Sequence, residues 1–341
     1  MSAINSKSNA PFYENVISIG IAIVFDDVLP KPVQFRWLLF MQNIKCLFIL
    51  GIILTGQMQF IHAGDKMENL SKEEKQLCVS MNNAENMLIL LDADEYTIAK
   101  SFFHDFKINQ PILYSILENR SAGKIFTDDR SNPSFMLVCS PAAYVFLGGS
   151  PDQTSLRKIV SYLKSLLHVS LVSPVDWKFK TFFEEAGFTA VERLQFQRHC
   201  DFFNLDSWKD SLPARYSINK IDNETFPQCN WRSFILSCYG DADHFFTNGR
   251  GFCLVDQGKI ISEAYGIIAA GKAEIGVVTD EKYRGQNLGT SICAVMLDYC
   301  CKNDIEPFWS CNANNPASVA IAKKLGFEES CKYFFLKWAT P

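Results

Sequence analysis

The sequence predicts an α/β protein of the α+β type, in which helices flank a mixed and mostly antiparallel sheet. Apolar runs of strand length alternate with segments of helical periodicity from about residue 87 onward. Strand candidates at 251–256, 259–270 and 272–279 follow one another through short glycine-bearing turns, which join antiparallel neighbours. These two observations predict the fold class.

Length and composition predict a globular protein of two domains. The chain has 341 residues, of which 48% are hydrophobic, with a formal net charge of −4 and a pI near 5.8. A chain of this length can bury two cores. Lysine and arginine are scattered without a basic tract, so the sequence lacks the electrostatic footprint of a nucleic-acid partner.

Cysteine and histidine usage argues against a metal centre. None of the twelve cysteines forms a C-x-x-C pair and most lie in apolar runs, which is typical of reduced, buried thiols, although a disulfide framework stays open. The five histidines are isolated and lack metal-ligand spacing. We expect no bound metal and a cytoplasmic location.

Residues 1–66 are set apart as an N-terminal extension. The apolar run at 46–56 has eleven residues, whereas a membrane helix needs about twenty, so a membrane partner is not expected. Residues 41–64 resemble a short signal peptide, which would make the protein secretory or membrane-associated. Three interpretations stay open: a poorly ordered or artefactual extension, a targeting segment, or part of the fold.

Residues 67–213 are predicted to form an N-terminal α/β domain. A polar helix begins at Met67, strands are expected at 87–91, 123–127, 135–140 and 143–147, and helices at 96–106, 111–119, 154–168 and 177–186. Asp152 or Thr154 can cap the helix at 154–168, and Gly187 is expected to end the last one in a left-handed conformation. The domain has no phosphate-binding turn, and its element order is compatible with a degenerate copy of the fold that follows.

Residues 214–341 are predicted to form the catalytic domain. The expected order is a strand at 216–221, helices at 223–239 and 242–247, three antiparallel strands, a helix at 288–301, a strand at 307–311, a helix opened by Asn315, and a closing hairpin after 325–327. Gln257 and Gly258 form a two-residue hairpin turn between the first two antiparallel strands.

The segment 274–290, EIGVVTDEKYRGQNLGT, predicts a phosphate-binding turn between a strand and a helix. The first N–H groups of a helix have no intrahelical partners and carry partial positive charge, so they attract anions. Arg284 adds a positive charge, and Gly285 and Gly289 remove side chains that would block approach. A plain corner of an α/β protein is the competing interpretation.

This segment resembles the R-x-x-G-x-G acetyl-CoA turn of the GCN5-related N-acetyltransferase (GNAT) superfamily. Asn287 stands where glycine is usual, and Asn tolerates the left-handed backbone best after glycine. NPASVAIAKKLGF at 315–327, GKIF at 123–126 and Asn132-Pro133 extend the resemblance to the zwittermicin A resistance branch. The resemblance implies the GNAT fold, preceded by a possibly degenerate GNAT-like domain.

The resemblance also implies which residues hold acetyl-CoA as co-substrate. In the superfamily two strands splay apart and offer main-chain groups to the pantetheine arm and the thioester carbonyl, so the N–H of Val277 or Val278 is the expected oxyanion donor. The implied cofactor-binding residues are Val277, Val278, Thr279, Arg284, Gly285, Gln286, Asn287, Leu288, Gly289, Thr290, Asn315 and Ser318.

Two side chains are candidate catalytic groups. Glu274 is the carboxylate on the strand beside the thioester, so it is the expected base; a solvated strand-end glutamate is the alternative. Cys311 ends the opposing strand and could lie near the sulfur, but a buried structural thiol is the alternative. Ala322 stands where many superfamily members carry the Tyr that acts as general acid and protonates the leaving thiolate. This leaves water or Tyr283 to supply that proton.

The function predicted from this resemblance is acetyl-CoA-dependent N-acetyl transfer to a primary amine, by direct attack in a ternary complex. The acceptor is expected to be a small molecule rather than a protein. Two alternatives stay open: an acyl-CoA:amino acid N-acyltransferase of the glycine N-acyltransferase kind, and a non-catalytic acyl-CoA-binding module. The sequence gives no oligomeric state.

Overall fold

The computed structural model describes residues 36–39, 49–52, 88–200, 208 and 212–339. The chain divides into two units, Met1–Leu77 and Cys78–Pro341. In the first unit, β1 (Arg36–Leu39) and β2 (Ile49–Ile52) pair antiparallel. Apart from these strands, the extension at 1–66 and the signal-like segment at 41–64 lie outside the described residues, as does the helix expected from Met67. No helix in the described part of the chain is long and apolar enough to cross a membrane.

The second unit is built on one sheet of twelve strands. Its order is β3-β4-β5-β6-β7-β14-β8-β13-β12-β11-β10-β9, and the pairs are antiparallel except β6–β7 and β12–β13. The sheet is therefore mixed and mostly antiparallel, as predicted. The strands are β3 (Ile89–Leu90), β4 (Lys124–Thr127), β5 (Phe135–Cys139), β6 (Tyr144–Gly149), β7 (His168–Pro174), β8 (Thr189–Gln197), β9 (Tyr216–Lys220), β10 (Gly249–Asp256), β11 (Lys259–Ala269), β12 (Lys272–Thr279), β13 (Glu306–Asn312) and β14 (Glu328–Ala339).

Helices cover both faces of this sheet. They are α1 (Tyr96–Ala99), α2 (Gln110–Leu117), α3 (Gln153–Lys164), α4 (Lys180–Glu185), α5 (Arg232–Tyr239), α6 (Ala242–Asn248), α7 (Leu288–Lys302) and α8 (Pro316–Lys324). Helices α2 and α5 pack with Tyr265 and Phe335 in one apolar cluster. The side chains next along those strands point to the other face, where α7 and α3 cover two further clusters. We call the face under α2 and α5 the α2 face.

The sheet repeats one arrangement twice. In each of the two halves, β3 to β7 and β9 to β13, the first four strands pair antiparallel in order and the fifth pairs parallel with the fourth. In both halves helices lie between the first and second strands and between the fourth and fifth. Each half then receives its sixth strand from the other half, because β14 pairs with β7 and β8 pairs with β13. This order agrees with the hypothesis of a second copy of the fold, whereas the boundary between 67–213 and 214–341 stays a prediction.

The exchanged strands are where the sequence prediction was wrong. No strand was assigned to β7 or β8, and the closing hairpin is instead one twelve-residue strand, β14, with a register irregularity between Glu329 and Cys331. The reason is the exchange itself: β7 and β8, on either side of β14, supply the antiparallel partners that a local hairpin would otherwise supply.

The thiols differ from expectation at one pair. Cys200 and Cys301 are joined by a disulfide with Cα atoms 5.0 Å apart, which ties the chain after β8 to α7. The expectation of reduced thiols is contradicted there. Eight other described cysteines are free, and all of these except Cys331 are buried.

Candidate functional site

The predicted phosphate-binding turn has the backbone that its sequence requires. Residues 284–287 are exposed. Gly285 has φ +78°, with no atom within 4 Å of the position a Cβ would take, and Asn287 has φ 60° and ψ 7°. The backbone of Asn287 is therefore left-handed, as predicted for a residue that stands where the superfamily usually has glycine.

The N-terminus of α7 keeps free amide groups. The first intrahelical bond runs from Ser291 N–H to the Asn287 carbonyl at 3.0 Å, and no described side chain caps the first turn. The N–H groups of Leu288, Gly289 and Thr290 are thus available to an anion. The side chains of Leu288 and Thr290 are buried, so these residues can act only through the main chain.

Two cations lie at this turn. Arg284 is exposed, donates from Nε to the Thr279 carbonyl at 3.3 Å, and lies 3.7 Å from the Glu281 carboxylate. Lys324, at the end of α8, donates from Nζ to Asn287 Oδ1 at 2.8 Å. Sequence reasoning missed Lys324 because only the fold brings the end of α8 to the start of α7. Both cations can turn toward a bound phosphate.

The equivalent helix of the first half is closed to anions. At the start of α3, the Asp152 carboxylate accepts the Ser155 N–H at 2.7 Å. This cap places a negative charge where α7 has none, so a phosphate would be repelled there. Of the two equivalent turns, the one before α7 is the one suited to a pyrophosphate.

Gly289 has a role in packing. An added Cβ would lie 3.0 Å from Thr279 Oγ1 and 3.4 Å from Ile321 Cδ1, between β12 and α8. The absence of a side chain therefore lets α7 begin close against β12. The predicted role of clearing the way for phosphate stays a prediction.

Strands β12 and β13 separate beside the turn. Their parallel pairing covers Lys272, Ala273 and Glu274 of β12 and ends at the pair Glu274 and Phe308. Beyond this point both strands continue unpaired with one another, as far as Thr279 and Asn312. This opening, which we call the β12–β13 gap, is the one that the resemblance implied.

The ladder between β11 and β12 decides which amides face the gap. Asp280 N–H donates to the Ile261 carbonyl at 2.9 Å, which fixes the alternation along β12. Val278 therefore directs its N–H and carbonyl toward β11, where its carbonyl accepts from Ser262 Oγ at 3.2 Å. Val277 and Thr279 direct theirs toward the gap. Of the two expected oxyanion donors, the geometry favours Val277.

Glu274 is a buried carboxyl group, not a solvated strand-end residue. It is 7% exposed, and its Oε2 atom is buried without a hydrogen-bond partner in the described part of the chain. Burial raises the pKa of Glu274 from the ordinary 4.5 to about 7, although Ser310, Arg193 and Asn109 pull it down. A carboxyl group with this pKa can accept and release a proton near neutral pH.

Tyr265 is a site residue that the sequence did not reveal. Its ring and hydroxyl lie over Gly276, so a Cβ at residue 276 would overlap them. The ring packs edge-on against Trp231, with centroids 5.1 Å apart. Burial raises the pKa of Tyr265 well above its ordinary value, so the hydroxyl stays protonated beside the gap. The one sign of its role is Gly276, the glycine directly opposite Tyr265 on the next strand, which leaves room for the ring.

Tyr265→Phe is expected to lower kcat roughly 10²-fold by removing a proton donor for the leaving thiolate, at the lower end of general acid contributions. The ring packing and the affinity for acetyl-CoA should be retained. Tyr283→Phe is the matched control, because the Tyr283 hydroxyl donates to Asp256 Oδ2 at 3.1 Å. Steady-state thiol release measures both variants, and a loss in the Tyr283 variant alone would contradict the assignment.

The remaining predicted residues have structural partners. Cys311 lies on the opposite face of β13 from Ser310, in the cluster under α7, and burial raises its pKa, which does not favour a nucleophile. Asn315 Oδ1 accepts the Ser318 N–H at 3.1 Å and caps α8, and Ser318 Oγ accepts from Trp309 Nε1 at 3.0 Å. Their roles toward a cofactor stay predictions.

An open cavity of about 370 Å³ lies away from the β12–β13 gap. That cavity is lined by Ile218, Lys220, Phe252, Val295, Asp298, Tyr299, Lys302 and Asn303, beside the C-terminal half of α7. It has neither free helix amides nor a buried acid. Among the described residues no group of three or more His, Cys, Asp or Glu side chains could hold a metal ion.

Comparisons with known proteins agree with the fold. A family model described as GNAT acetyltransferase matches residues 100–336, more than half of the chain. The chain is similar to the uncharacterized N-acetyltransferase YdfB of Bacillus subtilis (strain 168), with 24% identity over 256 residues, 71% of this chain and 95% of that protein. The family match confirms the predicted superfamily and an N-acetyltransferase as the kind of enzyme.

Solved structures share the fold. A GCN5-related N-acetyltransferase-like protein from Streptococcus suis 89/1591 has a TM-score of 0.58 and 23% identity, covering 71% of this chain and 98% of that one. A tandem GNAT protein from the clavulanic acid biosynthesis pathway has a TM-score of 0.51 and 14% identity, covering 74% of this chain and 98% of that one. These likenesses confirm the fold.

Proposed function

The chain belongs to the GNAT acetyltransferase family, and we propose that it transfers the acetyl group of acetyl-CoA to a primary amine of a small molecule in a ternary complex. The observation that carries the proposal is the uncapped start of α7 beside the β12–β13 gap. One end of this site suits a pyrophosphate and the other exposes unpaired main-chain groups.

The described residues fit acetyl-CoA in three ways. The free amides of Leu288, Gly289 and Thr290 suit phosphate oxygens, and Arg284 and Lys324 supply positive charge. The main chain of Val277 and Thr279 can bind the pantetheine arm along the gap. When bound, acetyl-CoA supplies the activated acyl group as a thioester.

The protein's own groups then have distinct roles in the transfer. The Val277 N–H points into the gap and can stabilise the charge that develops on the carbonyl oxygen. Glu274 takes a proton from the acceptor amine, directly or through water, and Tyr265 donates one to the leaving sulfur. Holding both substrates at attack distance can itself contribute roughly 7–11 kcal/mol.

Arg284→Ala and Lys324→Ala are each expected to weaken acetyl-CoA binding, by roughly 3- to 30-fold, because each removes a charge-assisted hydrogen bond to phosphate. Isothermal titration calorimetry with acetyl-CoA measures the effect. Arg157→Ala, an exposed arginine on α3, is the matched control and should bind as the unmodified protein does. Unchanged affinity in both turn variants would remove the proposed phosphate site.

Finer assignments belong to the same proposal. The motifs at 123–126 and 315–327 support placement in the zwittermicin A resistance branch. A cytoplasmic location and the absence of a bound metal are proposed from the sequence alone. Tight acetyl-CoA binding without thiol release across an amine panel would instead support a non-catalytic acyl-CoA-binding module.

A further inference from the structure

A cluster of polar side chains lies on the α2 face, where the two halves of the sheet meet. Glu274 of β12 is in register with Phe308 of β13, so Ser310 lies on the same face two residues further along. Ser310 is in register with Gln195 of β8, which places Arg193 on that face as well. The loop before α2 adds Asn109. The cluster therefore joins three strands and both halves.

Asn109 is held in place by hydrogen bonds that it donates to its neighbours. It is fully buried and left-handed, with φ 47°. Its N–H donates to Gln195 Oε1 at 2.8 Å, and its Nδ2 donates to Ser310 Oγ at 2.9 Å. Gln195 is fixed in turn by donating from Nε2 to the Lys107 carbonyl at 3.0 Å. The position of Asn109 beside Ser310 and Gln195 is thus set by this network.

Two buried acceptor atoms in the cluster have no partner among the described residues. They are Asn109 Oδ1 and Glu274 Oε2. An unsatisfied buried polar atom costs roughly 1–3 kcal/mol, and more when it is charged, so each such atom calls for an explanation, of which a bound ligand is one. Because both are acceptors, the matching ligand group is a hydrogen-bond donor. A primary ammonium offers three donors and the positive charge that suits Glu274.

Arg193 supplies the opposite charge. Its guanidinium lies 4.4 Å from the centroid of the Phe335 ring and its Nε donates to the Tyr333 hydroxyl at 3.4 Å. In the described part of the chain no carboxylate lies within ion-pair distance of it. The terminal nitrogens of this partly buried cation are therefore available to an anion, and a carboxylate matches their fork.

The two charged groups are near but do not meet. Glu274 and Arg193 lie on the same face of β12 and β8, the two strands that flank β13. Burial raises the pKa of Glu274, and Arg193 is among the groups that lower it. Their separation exceeds the 4.0 Å of an ion pair. A ligand that carries both an ammonium and a carboxylate has one charge for each of these two groups.

We propose that the acceptor is an amino acid, whose ammonium binds Asn109 Oδ1 and Glu274 Oε2 and whose carboxylate binds Arg193. This inference rests on the proposed acetyl transfer and names its acceptor class. It also gives the first half of the sheet a function, because Asn109 and Arg193 both come from it.

The transfer is balanced with these groups. The ammonium gives one proton to Glu274, and the freed lone pair forms the C–N bond while the C–S bond breaks. The thiolate takes a proton from Tyr265, which regains one from the nitrogen. Glu274 returns its proton to solvent, so the products are the N-acetyl amino acid, CoA thiol and one proton.

Thiol release from acetyl-CoA by the full chain tests the proposal with matched acceptor pairs. Each pair is an amino acid and its decarboxylated amine: glycine and methylamine, serine and ethanolamine, phenylalanine and phenethylamine. The best amino acid is expected to exceed its amine in kcat/KM by roughly tenfold or more, as a charged hydrogen bond predicts. Equal or better transfer to the amine would overturn the proposal.

Variants at Arg193 separate binding from folding. Arg193→Gln is expected to raise KM for the amino acid roughly tenfold while changing kcat/KM for the amine less than about threefold. Arg193→Lys should restore part of the loss, since it keeps the charge without the fork. Lys337→Gln, an exposed lysine on β14, is the matched control. Equal losses for both substrates, or no loss for either, would contradict a carboxylate at Arg193.

Calorimetry with acetyl-CoA distinguishes failure of the amino acid proposal from failure of the proposed acetyl transfer. If acetyl-CoA binds and amines are acetylated regardless of a carboxylate, acetyl transfer stands and the amino acid acceptor is wrong. If acetyl-CoA binds but the CoA-loaded protein neither binds nor acetylates any amino acid, the inference is also wrong. If acetyl-CoA does not bind, the proposed function itself fails.

Discussion

Glu274→Gln is expected to lower kcat by roughly 10²- to 10⁴-fold, which is the range that a general base contributes. Acetyl-CoA affinity should stay close to that of the unmodified protein, because Glu274 is the last residue of β12 paired with β13 and lies at the end of the β12–β13 gap away from the turn before α7. Thiol release under saturating acetyl-CoA measures kcat, and calorimetry measures the affinity. Undiminished turnover would remove Glu274 as the base.

The pH profile gives an independent check of the same residue. The base must be ionised to accept a proton, and the pKa of Glu274 is about 7, so kcat should rise with pH through about 7 and then level off. Tyr265, Tyr144 and Tyr333 also face this group, but burial raises the pKa of each above its ordinary value, so they stay neutral over this range. Loss of the rise in Glu274→Gln would attribute it to this carboxyl group.

The free energy of unfolding should fall as pH rises, whereas kcat should rise. The folded pKa of Glu274 is raised above the ordinary 4.5, so its stabilising contribution is full below that value and is lost as pH rises through about 7. Above this range the ionised group costs the fold roughly 3 kcal/mol, which Glu274→Gln removes. The variant should therefore unfold at a higher temperature in alkaline buffer while being less active.

Glu263→Gln is the matched control for both readouts. Glu263 is also buried, on the neighbouring strand β11, with a raised pKa caused by burial and an unpartnered Oε2 atom. Its Oε1 accepts the Trp231 N–H at 2.7 Å, so it bonds to the residue before α5 and not to the cluster of Glu274 and Ser310. A change in stability without loss of kcat is expected here. A kcat loss matching that of Glu274→Gln would show a general effect of buried carboxylates.

The turn before α7 could be predicted from sequence because its physics is local. Left-handed backbone at Gly285 and Asn287 and free amides before Ser291 follow from a short run of residues and a helix start. The same holds for the hairpin at Gln257 and Gly258, both of which have positive φ. Each of these features depends on residues only a few positions apart.

The polar cluster could not be predicted because it is assembled from distant segments. Asn109 and Ser310 are two hundred and one residues apart, and their bond exists only because β8 lies beside β13. Strand β8 was itself missed, since its α2 face carries Arg193 and Gln195 where a buried strand usually carries apolar residues. The polar residues that keep β8 from showing the hydrophobic pattern of a buried strand are thus the ones that form the site.

The exchange of β8 and β14 makes the two halves dependent on one another, so residues 214–341 expressed alone are expected not to fold. In that fragment β14 would lose β7 on one edge and β8 on the other, and β13 would lose β8. Leu336, fully buried in the whole chain, would be exposed on an unpaired strand, which favours aggregation. Circular dichroism during heating should show no cooperative transition.

Co-expression of residues 1–213 with residues 214–341 is the control for this fragment. Because each half supplies the strand that the other lacks, the two pieces should co-purify as a soluble complex and recover acetyl-CoA binding. A cooperative transition and full acetyl-CoA affinity in the isolated 214–341 fragment would instead show an autonomous catalytic domain, with the exchanged strands contributing little. The expected dependence follows from edge pairing alone, because a sheet that receives its sixth strand from the other half is complete only when both halves are present.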